Sequence, residues 1–187
     1  MKLPFFTIGH SDLSLDAFAG MLVDAGVAWV ADVRKMPRSR ASPQFNEDVL
    51  PDSLAPLGIG YGHIASLGGL RTKTPDVPRA LNGFWTNRSF HNYADYALSP
   101  QFHAGLTRLI EAGRRRRCAM MCSEAVWWRC HRRIVADHLI ARGETVFHIL
   151  AGNRIEQARL TPGAIVESDG TVVYPPTPFA GGACRAR

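Results

Sequence analysis

The sequence predicts an α/β domain: a mostly parallel central sheet of about five strands between helical layers, followed by a C-terminal β-hairpin. Val27 to Val33 is a continuous apolar run of the kind found in strands buried on both faces, and it closes on Asp32-Val33-Arg34. Phe5-Phe6-Thr7-Ile8, then Phe18, Met21, Leu22 and Ala25 at helical spacing, then that run, place strand, helix and strand in about 30 residues, a βαβ unit. Asp169-Gly170 between Ile165–Ser168 and Thr171–Tyr174 is a hairpin signal.

The elements follow in order. The first strand is broken by Gly9, and the first helix opens at Ser14 and stops at Gly26. After the second strand, Lys35 to Asn46 is rich in Pro, Ser and Arg and reads as a surface loop. Leu50 to Leu57 is a short helix and Ile59 to Ile64 a third strand. Leu67-Gly68-Gly69-Leu70-Arg71 opens a second loop, in which Pro75 and Pro78 oppose regular structure as far as Arg79. A helix is expected over Phe90 to Ala97. Ser99 then caps another, with Pro100 in its first turn, Phe102, Leu106, Leu109 and Ile110 on one face, and Gly113 at its end. Cys118 to Met121 is the fourth strand, Trp128 to Ala141 a helix with Gly143 beyond it, and Thr145 to Leu150 the fifth strand. No internal repeat is visible. One domain is expected over 1–187, with a core at 5–150, a hairpin appendage at 160–176 and a frayed tail at 177–187.

Composition narrows the function classes. A chain of 187 residues with 46% hydrophobic and 20% charged residues is ordinary for one globular domain. No run approaches the roughly 18 apolar residues of a membrane span, and the N-terminus leaves no room for a signal peptide. Four unevenly spaced cysteines without an export signal are expected to be reduced thiols in the cytoplasm. The net charge of +6 is mostly arginine, which favours an anionic small molecule or nucleic acid as partner. Nothing in the sequence sets an oligomeric state, and no cofactor is expected.

In open parallel sheets, ligands bind beyond the carboxyl ends of the strands. His10 and Ser11 follow the first strand, Asp32 and Arg34 close the second, His63 ends the third, and Cys122 and Glu124 follow the fourth. Cys122 is the leading nucleophile or sulfur carrier, because the amides of the next helix and Arg129, Arg132 and Arg133 would lower its thiol pKa. Its alternative is a small buried apolar group. Cys118 is expected in the core, and Cys184 without a role. Cys130 is a candidate resolving thiol, and Glu124 and His131 are candidate proton carriers. Glu124 could equally be an arginine's ion-pair partner. Cys122, Cys130 and His131, with His10 as a further candidate, form an alternative metal set, but the spacing matches no zinc pattern, so no metal ligand is assigned.

Arg34, Arg38 and Arg40 suit bidentate binding of an anionic substrate, unless Asp32 pairs with an arginine to set the loop. Gly69 sits in a turn where backbone can approach a ligand. Arg114 to Arg117 complement a helix C-terminus, and Trp127 and Trp128 are read as packing residues before base-stacking ones.

Thr7-Ile8-Gly9-His10-Ser11, Asp32-Val33-Arg34 with Pro37-Arg38-Ser39-Arg40, Leu67-Gly68-Gly69, and Met121-Cys122-Ser123-Glu124 through Cys130-His131-Arg132 resemble the domain-of-unknown-function 488 family, from about residue 5 to 150. Leu160-Thr161-Pro162 and the hairpin are similar to the ending of many members. The resemblance implies a Rossmann-like three-layer fold and a site at these motif residues, and it names no reaction. A fainter likeness to rhodanese-type sulfurtransferases lies in the strand ending in Asp-Val-Arg and the strand-end Cys leading to a helix. Glu124 and two tryptophans after the Cys depart from their short active loop. The expected function is therefore a thiol-dependent enzyme acting on an anionic substrate. The alternatives are a nucleic-acid-binding or DNA-repair-associated module and a Cys/His metal-binding protein.

Overall fold

The computed structural model describes residues 2–176; the tail read as frayed, 177–187, and Cys184 lie outside the described residues. Its centre is a six-stranded sheet in the order β3-β2-β4-β1-β5-β6. The strands are β1 (Phe5–Gly9), β2 (Trp29–Asp32), β3 (Gly60–His63), β4 (Cys118–Cys122), β5 (Val146–Leu150) and β6 (Arg154–Gln157). The first five are parallel, and β6 returns antiparallel along β5. The sequence predicts about five strands, and β6 is the addition. All four of its residues are exposed, so no apolar alternation marks it.

The apolar runs of the parallel strands are explained by two cores. On one face Phe5, Ala31, Val33, Cys118, Met120 and Val146 pack against helices α3 (Arg88–Tyr96), α4 (Pro100–Arg115) and α5 (Arg132–Ala141). On the other, Phe6, Ile8, Val30, Ala119, Met121 and Ile149 meet α1 (Leu15–Asp24) and α2 (Leu50–Leu54). Neighbouring strand residues thus feed opposite layers, which leaves no polar face on the inner strands.

Local chemistry sets the helix ends. Ser14, Asn87 and Ser99 cap α1, α3 and α4 through their side-chain oxygens. Pro56 falls where α2 tightens into a 3-10 turn, and Gly58 closes that turn in the left-handed region at φ 71°. The helix expected from Trp128 is split: a 3-10 turn spans Trp127–Arg129, Cys130 is extended, and α5 starts only at Arg132. At the C-terminus β7 (Ile165–Val166) pairs with β8 (Val172–Val173) around Gly170, and Val172 and Tyr174 bury into the α3–α5 core. No described helix is long and apolar enough to cross a membrane.

Candidate functional site

A cleft of about 470 Å³ opens beyond the carboxyl ends of β1, β2 and β4, within the size range of small-molecule sites. The strands bring it together through close backbone approach. His10 and Ser11 donate their amides to Cys122 and Ser123 at 3.0 Å, extending the β1–β4 pairing past the strand ends. Gly9 permits this: a Cβ there would stand 2.0 Å from the Glu124 carbonyl oxygen.

The cleft is lined by His10, Ser11, Arg34, Arg38, Gly69, Cys122, Glu124, Arg129, Cys130 and His131. Four other expected residues do not line it. Asp32 is fully buried beneath Arg34, accepting its Nη2 at 2.6 Å and the Tyr61 hydroxyl at 2.7 Å. Arg132 is buried behind Cys130. His63 turns to the Arg34 carbonyl, at 2.9 Å, and Arg40 is exposed elsewhere on its loop. The Asp32–Arg34 pair is therefore scaffolding, with only an edge of the guanidinium reaching the cleft.

That edge sets the state of His10. Arg34 Nη1 donates to His10 Nε2 at 3.3 Å, so the imidazole proton resides on Nδ1 and is donated to the Ser11 carbonyl at 3.0 Å. Burial, with Arg34 beside it, lowers the His10 pKa, and the ring stacks on Phe45 at 4.2 Å. His10 is thus a neutral ring and a poor proton carrier.

The thiols are arranged differently from expectation. Cys122, Cys130 and His131 place Sγ, Sγ and Nδ1 within 4.8 Å of one another, and both thiols are free. Because α5 begins after Cys130, Arg132 in its first turn donates Nε to the Cys130 sulfur at 3.2 Å. Burial pushes the Cys130 thiol up, but the bond from Cys122 and the Arg132 charge and donors outweigh it and bring it down to about 6. Cys122 is the complementary partner: donating to Cys130 and being buried lift it to about 12. The helix start expected to face Cys122 therefore falls beside Cys130, where the Arg132 Nε is the donor. Cys118 is fully buried, and burial raises its thiol.

His131 donates Nε2–H to the Val33 carbonyl at 2.9 Å, leaving the Nδ1 lone pair toward the thiols, 3.7 Å from Cys130 Sγ. Gly69 leaves room for it, since a Cβ would come within 2.9 Å of Nδ1. These three donors are the set that could hold a thiophilic metal, one short of the four ligands of a structural zinc site. Glu124 makes no ion pair among the described residues; Arg132 instead holds its backbone carbonyl.

Sequence reasoning missed the far wall. Phe90 and Tyr93 arrive from α3, while Met36 and Leu70 stand 71% and 79% exposed at the rim. Leu70 holds φ 55°, and Ser11 on the opposite side holds φ 44°, both left-handed without being glycine. The Arg114–Arg117 run lies at the amino end of β4, the opposite end from the cleft, where Arg116 covers the Trp29 ring.

The family described as "Domain of unknown function DUF488" matches residues 14–139. No curated protein and no solved structure matches the chain.

Proposed function

The chain belongs to the DUF488 family, and on that premise we propose that it is a thiol-dependent enzyme that binds an anionic substrate in the β1–β2–β4 cleft. The observation that carries the reading is the pair of free thiols whose sulfurs lie within 4.8 Å, one of them accepting Nε–H from the Arg132 guanidinium at 3.2 Å. Cys130 is the nucleophile and Cys122 the second thiol, exchanging the roles expected from the sequence. A thiolate near neutral pH combines nucleophilicity with a substantial charged fraction. His131 Nδ1 takes the proton from Cys122 when that thiol reacts in turn. Lys35 and Arg129, with the edge of Arg34, supply the cationic lining, whereas Arg38 is paired with Glu47 and Asp48.

The test is iodoacetamide alkylation from pH 5 to 9, read for each cysteine by peptide mass. Cys130 is expected to be half-ionised near pH 6 and to react well below the pH at which Cys122 does. Reaction of Cys130 only above pH 8 overturns the reading. Zinc found at one equivalent per chain after purification without chelator, blocking alkylation of both thiols, would overturn it in favour of a metal centre.

A further inference from the structure

Resting on the thiol reading above, we propose that the substrate is a low-molecular-weight disulfide bearing a carboxylate or similar anion on an apolar body. The cleft has three chemically distinct regions. Two sulfurs and the His131 lone pair form its floor. Lys35 and Arg129 lie on its rim, and neither side chain forms an ion pair among the described residues, so both are free to meet an anion. Met36 and Leu70 form exposed apolar lips, Leu70 being presented by a left-handed backbone that loop packing must maintain. A large, exposed side chain held in that way beside a cleft is suited to covering the apolar part of a ligand.

The second thiol decides the kind of sulfur chemistry. A sulfane sulfur placed on Cys130 would be attacked by Cys122 within contact range and lost as hydrogen sulfide, so the pair is unsuited to carrying sulfur between donors and acceptors. Against a disulfide the same pair works in sequence. The Cys130 thiolate attacks one sulfur of RS–SR, forms Cys130–S–SR and expels RS⁻ toward the rim cations. Cys122 passes its proton to His131 and attacks the Cys130 sulfur; the Cys122–Cys130 bond forms and the second RS⁻ leaves. Two electrons pass from the dithiol to the substrate, and a small thiol or dithiol restores the reduced pair.

The test uses the full chain carrying Cys184→Ala, which removes the one cysteine outside the described residues. The reduced protein is mixed with dithiodiglycolate, 2-hydroxyethyl disulfide and cystamine, which are anionic, neutral and cationic disulfides. Each rate is divided by that of the same compound with free 2-mercaptoethanol. The anionic compound is expected to lead the neutral one by about tenfold, as a cationic cleft concentrates it, and the cationic one to be slowest. Adding 0.5 M salt, or Lys35→Ala with Arg129→Ala, should erase the order. A bulkier aryl dianion, 5,5′-dithiobis(2-nitrobenzoate), should exceed dithiodiglycolate after the same normalisation and release two thiolates per chain.

Equal normalised rates across the charge series, with the Cys122–Cys130 disulfide still formed, overturn the substrate class and leave the thiol reading standing. Loss of the aryl preference alone removes the apolar body from the proposal. No intramolecular disulfide with any compound, together with an alkylation midpoint of Cys130 above pH 8, overturns both.

Discussion

Arg132 is the side chain on which the state of the thiol pair turns. It is 1% exposed, donates Nε to Cys130 at 3.2 Å, and holds the Glu124 carbonyl with its other end. A hydrogen bond to a charged group contributes about 1.5–3 kcal/mol, or about one to two pH units of thiol ionisation. Arg132→Lys keeps a cation but loses the directed Nε–H, so the alkylation midpoint of Cys130 should rise by about one to two units. An unchanged midpoint in a folded variant would show that the other surroundings of Cys130, Cys122 among them, suffice. This arrangement was only partly legible in the sequence. Cys122, Cys130, His131 and the neighbouring arginines could be gathered by the strand-end rule. Which sulfur meets the start of α5 and its Arg132 depends on where that helix begins, and apolar spacing from Trp128 onward does not reveal that Cys130 is extended.

Among the elements, the C-terminal hairpin is bound to α5 through a buried constellation. Asp137 accepts the Thr161 amide at 2.9 Å and the Tyr174 hydroxyl at 2.8 Å, and Tyr174 also uses its own amide on Asn82 at 3.1 Å. Burial raises the Asp137 carboxyl to about 6, against the lowering effect of Thr161 and Tyr174. Tyr174→Phe leaves one carboxylate oxygen without its donor, at a cost of about 1–3 kcal/mol. Because the unpaired group is charged mainly above pH 6, the loss measured by urea unfolding should be larger at pH 7.5 than at pH 5. Equal losses at the two pH values would place the cost in packing instead. The turn chemistry of this hairpin was readable from Asp169-Gly170, but its docking was not. Local sequence reports a turn, whereas the Tyr174–Asp137 bond joins groups 37 positions apart. The exposed edge strand β6 carries no apolar signal in the sequence for the related reason that none of its residues is buried.

For the whole molecule, buried histidines set the acid limit of stability. His138 lies against Phe102, with neither ring nitrogen hydrogen-bonded among the described residues, and burial depresses it to about 3. His148, stacked on Trp127, is depressed to about 4 by burial and then by Arg132. Both rings fold neutral, so between their ordinary value of 6.5 and these folded values the unfolded chain binds more protons and stability falls as pH falls. Asp137 acts in the opposite sense between about 6 and 3.8, where the folded chain retains the proton. One carboxyl offsets about one imidazole, and the net result is loss toward acid. His138→Leu should remove roughly 3 kcal/mol of the fall between pH 7 and pH 4.5, as measured from urea midpoints. A parallel decline in variant and parent would acquit His138. The layered architecture itself was the most legible level, since continuous apolar strands admit few arrangements other than a covered parallel sheet. Residues 123–129 form the short span that joins the two sulfurs. Trp127 and Trp128, half of the indoles in the chain, ride on it, and Trp127 is sandwiched against His148. Drawing the sulfurs into a covalent bond would shift that stack, so the molecule carries its own optical gauge of oxidation, readable as indole emission without any added dye.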